Sequence, residues 1–206
     1  MRQELERATL VWDTFSQLRG EGRLVGWLDS PAVRRICVSE RLGAPEKPWA
    51  EILLEQLGLS RHGRWLSLGC GTAETEVALA RRKVFGEMLA IDASPQARLV
   101  AESRASDAGV TSIRFAGGDF EAAEIEDGSF DVVMMEMSLH HVRDIRRVLE
   151  TVRARLAPRG VLLLNEFVGP RQFQFPEHQL EIVHQLLDVL PERLRQDSYT
   201  HGLKTE

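Results

Sequence analysis

From Arg64 onward the chain alternates short apolar runs with segments whose apolar residues recur at helical spacing. Trp65–Leu68 reads as a first strand and Glu74–Arg82 as the helix after it. Glu87–Ile91 is a second strand ending at Asp92, and Ser94-Pro95 starts a helix running to about Ala108. Thr111–Ala116 is a third strand and Phe130–Met135 a fourth, joined by an acidic connector. Asp144–Leu156 is a helix stopped by Ala157-Pro-Arg-Gly160. Val161–Asn165 is a fifth strand, a continuous apolar run expected of a strand buried on both faces. Glu177–Leu190 is a last helix, stopped by Pro191. Strands and helices alternating at this spacing predict an α/β fold, a doubly wound sheet of five parallel strands with right-handed crossovers.

The first 60 residues have a different texture. Apolar positions between about Glu4 and Leu18, a Ser30-Pro31 helix start, and Trp49, Ile52, Leu53, Leu54 and Leu57 predict helices ahead of the first strand. They form either a cover packed on the sheet or a lid over a substrate pocket. The organisation expected is therefore a helical cap over residues 1–60, a ligand-binding domain over 61–195 and a loose tail over 196–206. The fifth strand has an open edge, which the last helix, the N-terminal helices or a second copy of the chain must cover.

Composition narrows the class. With 206 residues, 43% hydrophobic and 28% charged, the sequence fits a globular protein, and a net charge of −5 gives no general attraction to nucleic acid. Cys37 and Cys70 match no metal or disulfide pattern. No apolar run approaches the length of a spanning helix, and Met1–Arg7 has no leader character. These features predict a cytoplasmic protein that is not bound to a membrane or to nucleic acid.

The chemistry gathers at the strand ends. Leu66-Ser-Leu-Gly-Cys-Gly-Thr72 is a strand, a tight glycine turn and a helix start, where a ligand can approach the backbone and meet free helix amides. A dinucleotide fingerprint would need a small residue where Glu74 stands, so that ligand is disfavoured. Asp92 lies 92 − 69 = 23 residues past the first glycine, near the spacing of a ribose-binding acid, although it can also cap the next helix. Gly118, Asp119 and Phe120 follow strand three. Glu136, Met137, His140 and His141 follow strand four.

These motifs, with Asp127-Gly-Ser-Phe-Asp-Val-Val133, Leu139-His-His141 and Leu156-Ala-Pro-Arg-Gly160, occur in the order found in class I S-adenosylmethionine-dependent methyltransferases, which the chain resembles over about residues 64–168. The resemblance implies a Rossmann-like sheet that stops at five parallel strands, in order 3-2-1-4-5, short of the family's usual seven, and S-adenosylmethionine as cofactor. It implies that Ser67, Gly69, Cys70, Gly71, Thr72, Asp92, Ala93, Gly118, Asp119, Phe120, Glu136 and Met137 hold it, with the Gly69–Thr72 amides available to its carboxylate. Two positions depart from the pattern. The family's acid is here Ser67, and its third glycine is Ala73, which costs little if its backbone is helical. His140 and His141 are the candidate bases. Glu166, Arg171 and Phe173 are candidate contacts for the acceptor. The expected function is O- or N-methylation of a small molecule. The alternative is a non-catalytic S-adenosylmethionine-binding protein whose site needs another chain.

Overall fold

The computed structural model describes residues 13, 17, 36, 43, 47–59, 63–119, 125, 129–142, 144–166, 168 and 175–195. The chain divides into two compact units, Met1–Glu166 and Phe167–Glu206. The first holds α1 (Trp49–Gln56), β1 (Arg64–Leu68), α2 (Glu74–Arg81), β2 (Glu87–Asp92), α3 (Pro95–Asp107), β3 (Ile113–Gly117), β4 (Phe130–Glu136), α4 (Ile145–Arg155) and β5 (Leu156–Asn165). The second holds α5 (Glu177–Val189) and a short 3-10 turn, Glu192–Leu194. Most of the helices expected before Trp49, and the tail over 196–206, lie outside the described residues. Asp13 and Gln17 are helical, as the N-terminal periodicity predicts.

The sheet has five strands in order β3-β2-β1-β4-β5, as read from the sequence. All four pairings are parallel. Alternation along the strands splits the core between the two faces. Trp65 of β1 and Val132 and Met134 of β4 pack with Trp49, Ala50 and Leu54 of α1 and with Leu79 of α2. Leu66 and Leu68 pack with Val133 and Met135 on the opposite face, against Val148 and Val152 of α4. Helix α1 is thus a cover on the sheet. Its buried Glu51 forms an ion pair with Arg82, just past the end of α2. Each fully buried large apolar side chain, such as Trp65 or Leu66, contributes about 1.5–3 kcal/mol.

Strand five differs from expectation in two ways. It starts at Leu156, because the Ala157–Gly160 turn is absorbed as an irregularity: Phe130 pairs with Leu156, but Val132 already pairs with Val161. Arg159 takes φ 71° there. A Cβ on Gly160 would lie 2.9 Å from the Phe130 carbonyl oxygen, so only glycine fits the bulge. Strand five is also not buried on both faces. Leu163 is buried and Leu164 is 39% exposed. The strand is at the end of the sheet, and an apolar run alone does not distinguish an edge from the middle.

Candidate functional site

Five parallel strands put five carboxyl ends on one edge of the sheet, and all the described candidates gather there. The loop after β1 is built by its own amides. Gly69 N–H and Cys70 N–H both donate to the Ile91 carbonyl (2.8 and 3.2 Å), and Ala73 N–H donates to the Cys70 carbonyl at 2.9 Å. Gly71 N–H donates to Asp92 Oδ2 at 2.7 Å. The expectation that the Gly69–Thr72 amides are available to a ligand carboxylate is therefore corrected for Gly69, Cys70 and Gly71. These amides fold the loop instead. The Thr72 carbonyl accepts from the Arg104 guanidinium of α3.

Gly71 has φ +53°, and among the described residues a Cβ there would meet nothing within 4 Å. Ala73 is not helical: it lies in the left-handed region at φ 52°, ψ 37°. An L-residue there costs roughly 1–2 kcal/mol, so the third glycine's absence is not free. Its methyl is fully buried beside Val77, Ala101 and Ala105, which partly offsets that cost.

Asp92 ends β2. Its Oδ1 accepts from Ser94 N–H at 2.8 Å while Oδ2 holds the loop. The helix cap is Ser94, whose hydroxyl accepts from Ala97 N–H at 2.9 Å and donates to Asp13. Asp13 also accepts from Gln96 N–H at 3.3 Å, so Asp13 reaches this edge. Burial pushes the Asp92 carboxyl above the usual range, the Ser94 and Gly71 amides pull it down, and Asp13 adds to the rise. Each Asp92 oxygen keeps a further acceptor direction. Ala93 is half-buried beside it. Gly118 N–H donates to the Asp92 carbonyl at 3.1 Å, which brings Asp119 to the same edge. Phe120 lies outside the described residues.

Ser67 is not on the surface of the loop. It is 1% exposed, and its hydroxyl donates to Glu76 Oε1 at 2.7 Å. Glu76, in the first turn of α2, is 3% exposed. Burial raises its carboxyl to about 8; Ser67 opposes the rise, and Glu136 and Asp92 add to it. Burial, Glu76 and Asp92 raise the Cys70 thiol well above its usual range, which disfavours the thiolate.

The other half of the edge belongs to β4 and β5. Glu136 accepts from Asn165 Nδ2 at 3.3 Å. Met137 takes a positive φ of 49° and donates its amide to the Asn165 carbonyl at 2.7 Å. The buried Ser138 hydroxyl donates to the Leu68 carbonyl at 2.8 Å, tying this turn to the glycine loop. His140 and His141 lie on one 3-10 turn with ring centroids 3.9 Å apart. Burial first, and then His140, lower the His141 pKa, while Glu166 opposes them.

Glu166 is drawn inward rather than offered to an acceptor. It accepts from Leu139 N–H (2.8 Å), His140 N–H (3.2 Å) and His140 Nδ1 (2.6 Å). A carboxylate oxygen can only accept, so Nδ1 is the nitrogen that donates to Glu166, and Nε2 is the ring's other nitrogen. Arg171 and Phe173 lie outside the described residues. Glu76, Ser138 and Asp13 are absent from the sequence reading. Only Glu76 leaves a signal there, as an acid in the helix that follows a motif lacking its own.

Residues 66–164 match a family described as a methyltransferase domain. They form a class I methyltransferase domain. The uncharacterized methyltransferase YcgJ of Bacillus subtilis is 33% identical over 107 residues, covering 52% of this chain and 42% of that one. Its crystal structure superposes with a TM-score of 0.53 at 26% identity, over 73% of this chain and 60% of the other. A demethylmenaquinone methyltransferase of B. subtilis is 28% identical over 130 residues, covering 63% of this chain and 56% of its own. A putative S-adenosyl-L-methionine-dependent methyltransferase of Methanococcus maripaludis shares the fold, with a TM-score of 0.55 at 22% identity over 80% and 72% of the two chains. The chain spans about half the length of the curated relatives it matches.

The methyltransferase family implies S-adenosylmethionine, and the site fits it. The open side of Gly71, the spare acceptor directions of Asp92 and the acid at Asp119 are the features an adenosyl group needs. Among the described residues no group of three metal-ligating side chains forms, and no helix is long and apolar enough to cross a membrane.

Proposed function

We propose that this chain methylates a small-molecule acceptor at an oxygen or nitrogen that carries a proton. The observation supporting this is the 2.6 Å contact between His140 Nδ1 and Glu166 Oε1 at the end of β4. When bound, S-adenosylmethionine supplies a methyl group on a sulfonium, which needs a positioned acceptor and a dry site more than protein chemistry. The glycine loop and Asp92 hold the adenosyl part. Glu166 orients His140, whose Nε2 takes the acceptor's proton. Glu166 is thus a positioning residue in this reading, and the acceptor contacts fall to Arg171 and Phe173. A small-molecule acceptor is supported by a relative named for demethylmenaquinone. A cytoplasmic setting and the absence of a nucleic-acid partner go with this reading, supported by the acidic net charge of −5.

A second reading has one observation behind it. Among the described residues β5 pairs only with β4, so a second copy of the chain can cover that edge. The protein is then a cofactor-binding subunit whose site is completed by its partner.

The test is conversion of S-adenosylmethionine to S-adenosylhomocysteine with a panel of phenol, carboxylate and amine acceptors. His140→Ala should lower turnover roughly 10²–10⁴-fold while S-adenosylhomocysteine binding is kept. Glu166→Gln should lower it less. Turnover unchanged in His140→Ala removes the base. Cofactor binding without turnover in the parent protein favours the subunit reading.

A further inference from the structure

The family carries an acid where this chain carries Ser67. Ser67 does not stand alone. It is the fourth residue of β1, and its hydroxyl reaches Glu76 across 2.7 Å at the foot of the glycine loop. Both side chains are buried, at 1% and 3% exposure. Ser67 lies on the same face of the strand as Trp65, toward α2. One hydrogen bond therefore brings a carboxyl from the first turn of α2 to the end of the strand.

Among the described residues no cation pairs with this buried carboxyl; its partners are the Ser67 hydroxyl and a backbone amide. A buried acid is expensive, and small apolar residues at 67 and 76 would cost less. Among the described residues, the charged groups that act on Glu76 are Glu136 at the end of β4 and Asp92 at the end of β2, both acids, with the Cys70 thiol on the adjoining loop. A cation at this spot would relieve all three carboxyl groups together.

We propose that Glu76, held by Ser67, receives the α-ammonium group of S-adenosylmethionine, so that the helix supplies the carboxyl that the strand lacks at position 67. The inference rests on the cofactor reading above. It also accounts for the poise of this group. Burial with Asp92 and Glu136 keeps Glu76 protonated near neutral pH, since its pKa is about 8. An arriving ammonium favours the ionised form, so binding sends one proton from Glu76 to solvent.

Calorimetry on the full chain tests this with two probes. S-adenosylhomocysteine has the amino-acid part, and methylthioadenosine has the same adenosyl part without it. Glu76→Gln should weaken S-adenosylhomocysteine roughly ten- to hundredfold and leave methylthioadenosine unchanged. Titration in buffers of different ionisation enthalpy should show proton release by the parent near neutral pH and none by the variant. Equal loss of both probes, or loss of neither, overturns the assignment. The exchange variant Ser67→Asp/Glu76→Gln decides the matter if the single variant does not fold: restored S-adenosylhomocysteine binding supports the proposal, and loss overturns it. A parent chain that binds neither probe overturns the cofactor reading itself.

Discussion

Two glutamates at the same edge of the sheet live in opposite circumstances. Glu76 is buried and takes one side-chain hydrogen bond, from Ser67. Glu166 takes bonds from two backbone amides and from the His140 ring. The first carboxyl is buried with two further acids acting on it; the second takes three bonds from the turn after β4 and holds a histidine. The β1–β3 half of the edge is thus unbalanced, in a way that a positively charged ligand corrects. The β4–β5 half holds its carboxyl in a closed set of bonds around His140. The proposed cofactor, which arrives with positive charge, and the proposed acceptor, which gives up a proton, divide the site along that line.

The sharpest way to break this division is Gly71→Arg. Gly71 takes φ +53°, and among the described residues an arginine side chain there meets no atom at its Cβ, so it extends where the ligand belongs. Loss of S-adenosylhomocysteine binding below detection is expected, with a folding cost of only about 1–2 kcal/mol from the left-handed backbone. The His140–Glu166 pair is on the other half and should keep its geometry. Binding by Gly71→Arg equal to that of the parent chain, measured by calorimetry, would place the cofactor elsewhere.

A smaller effect separates the two carboxyls by pH. The Glu76 carboxyl lies at about 8 in the folded chain, against an ordinary 4.5. Between those values the folded state holds a proton that the unfolded state has lost. The stability Glu76 contributes is therefore full below about pH 4.5 and is lost as pH rises through about 8. The loss approaches about 1.4 kcal/mol for each pH unit within the window. Urea unfolding of the ligand-free protein should become easier across it, and Glu76→Gln should flatten the profile. A parent profile no steeper than the variant's would mean that Glu76 is already ionised.

Much of the sheet was legible because each strand ends in its own punctuation. Gly69, Asp92, Gly118 and Glu136 mark four strand ends, and the order of the five strands follows from the family pattern. What could not be read depends on contacts across the chain. Ser67 and Glu76 are nine residues apart, and their bond exists only because α2 folds back over β1. Asp13 reaches Ser94 and Gln96 from more than eighty residues away, with no local motif to announce it. The bulge at Ala157–Gly160 looked like a helix stop, since Pro158 and Gly160 end a helix and interrupt a strand with the same chemistry. Glu166 looked available to a substrate because sequence shows a charge but not its donors.

The smallest expected effect concerns Ala73, where two terms nearly cancel. Glycine would remove the left-handed strain of φ 52°, roughly 1–2 kcal/mol. It would also delete a fully buried methyl, about 0.8 kcal/mol, and loosen the unfolded chain by about 0.4–1 kcal/mol. Ala73→Gly should therefore change unfolding free energy by less than about 1 kcal/mol. Its cofactor affinity should also stay close to the parent's, because Ala73 N–H already bonds the Cys70 carbonyl and keeps the loop's shape. A gain well beyond that margin in urea unfolding would show that the buried methyl contributes little. The absent third glycine would then be a plain cost to the cofactor half, with nothing in the packing of α2 on α3 to offset it.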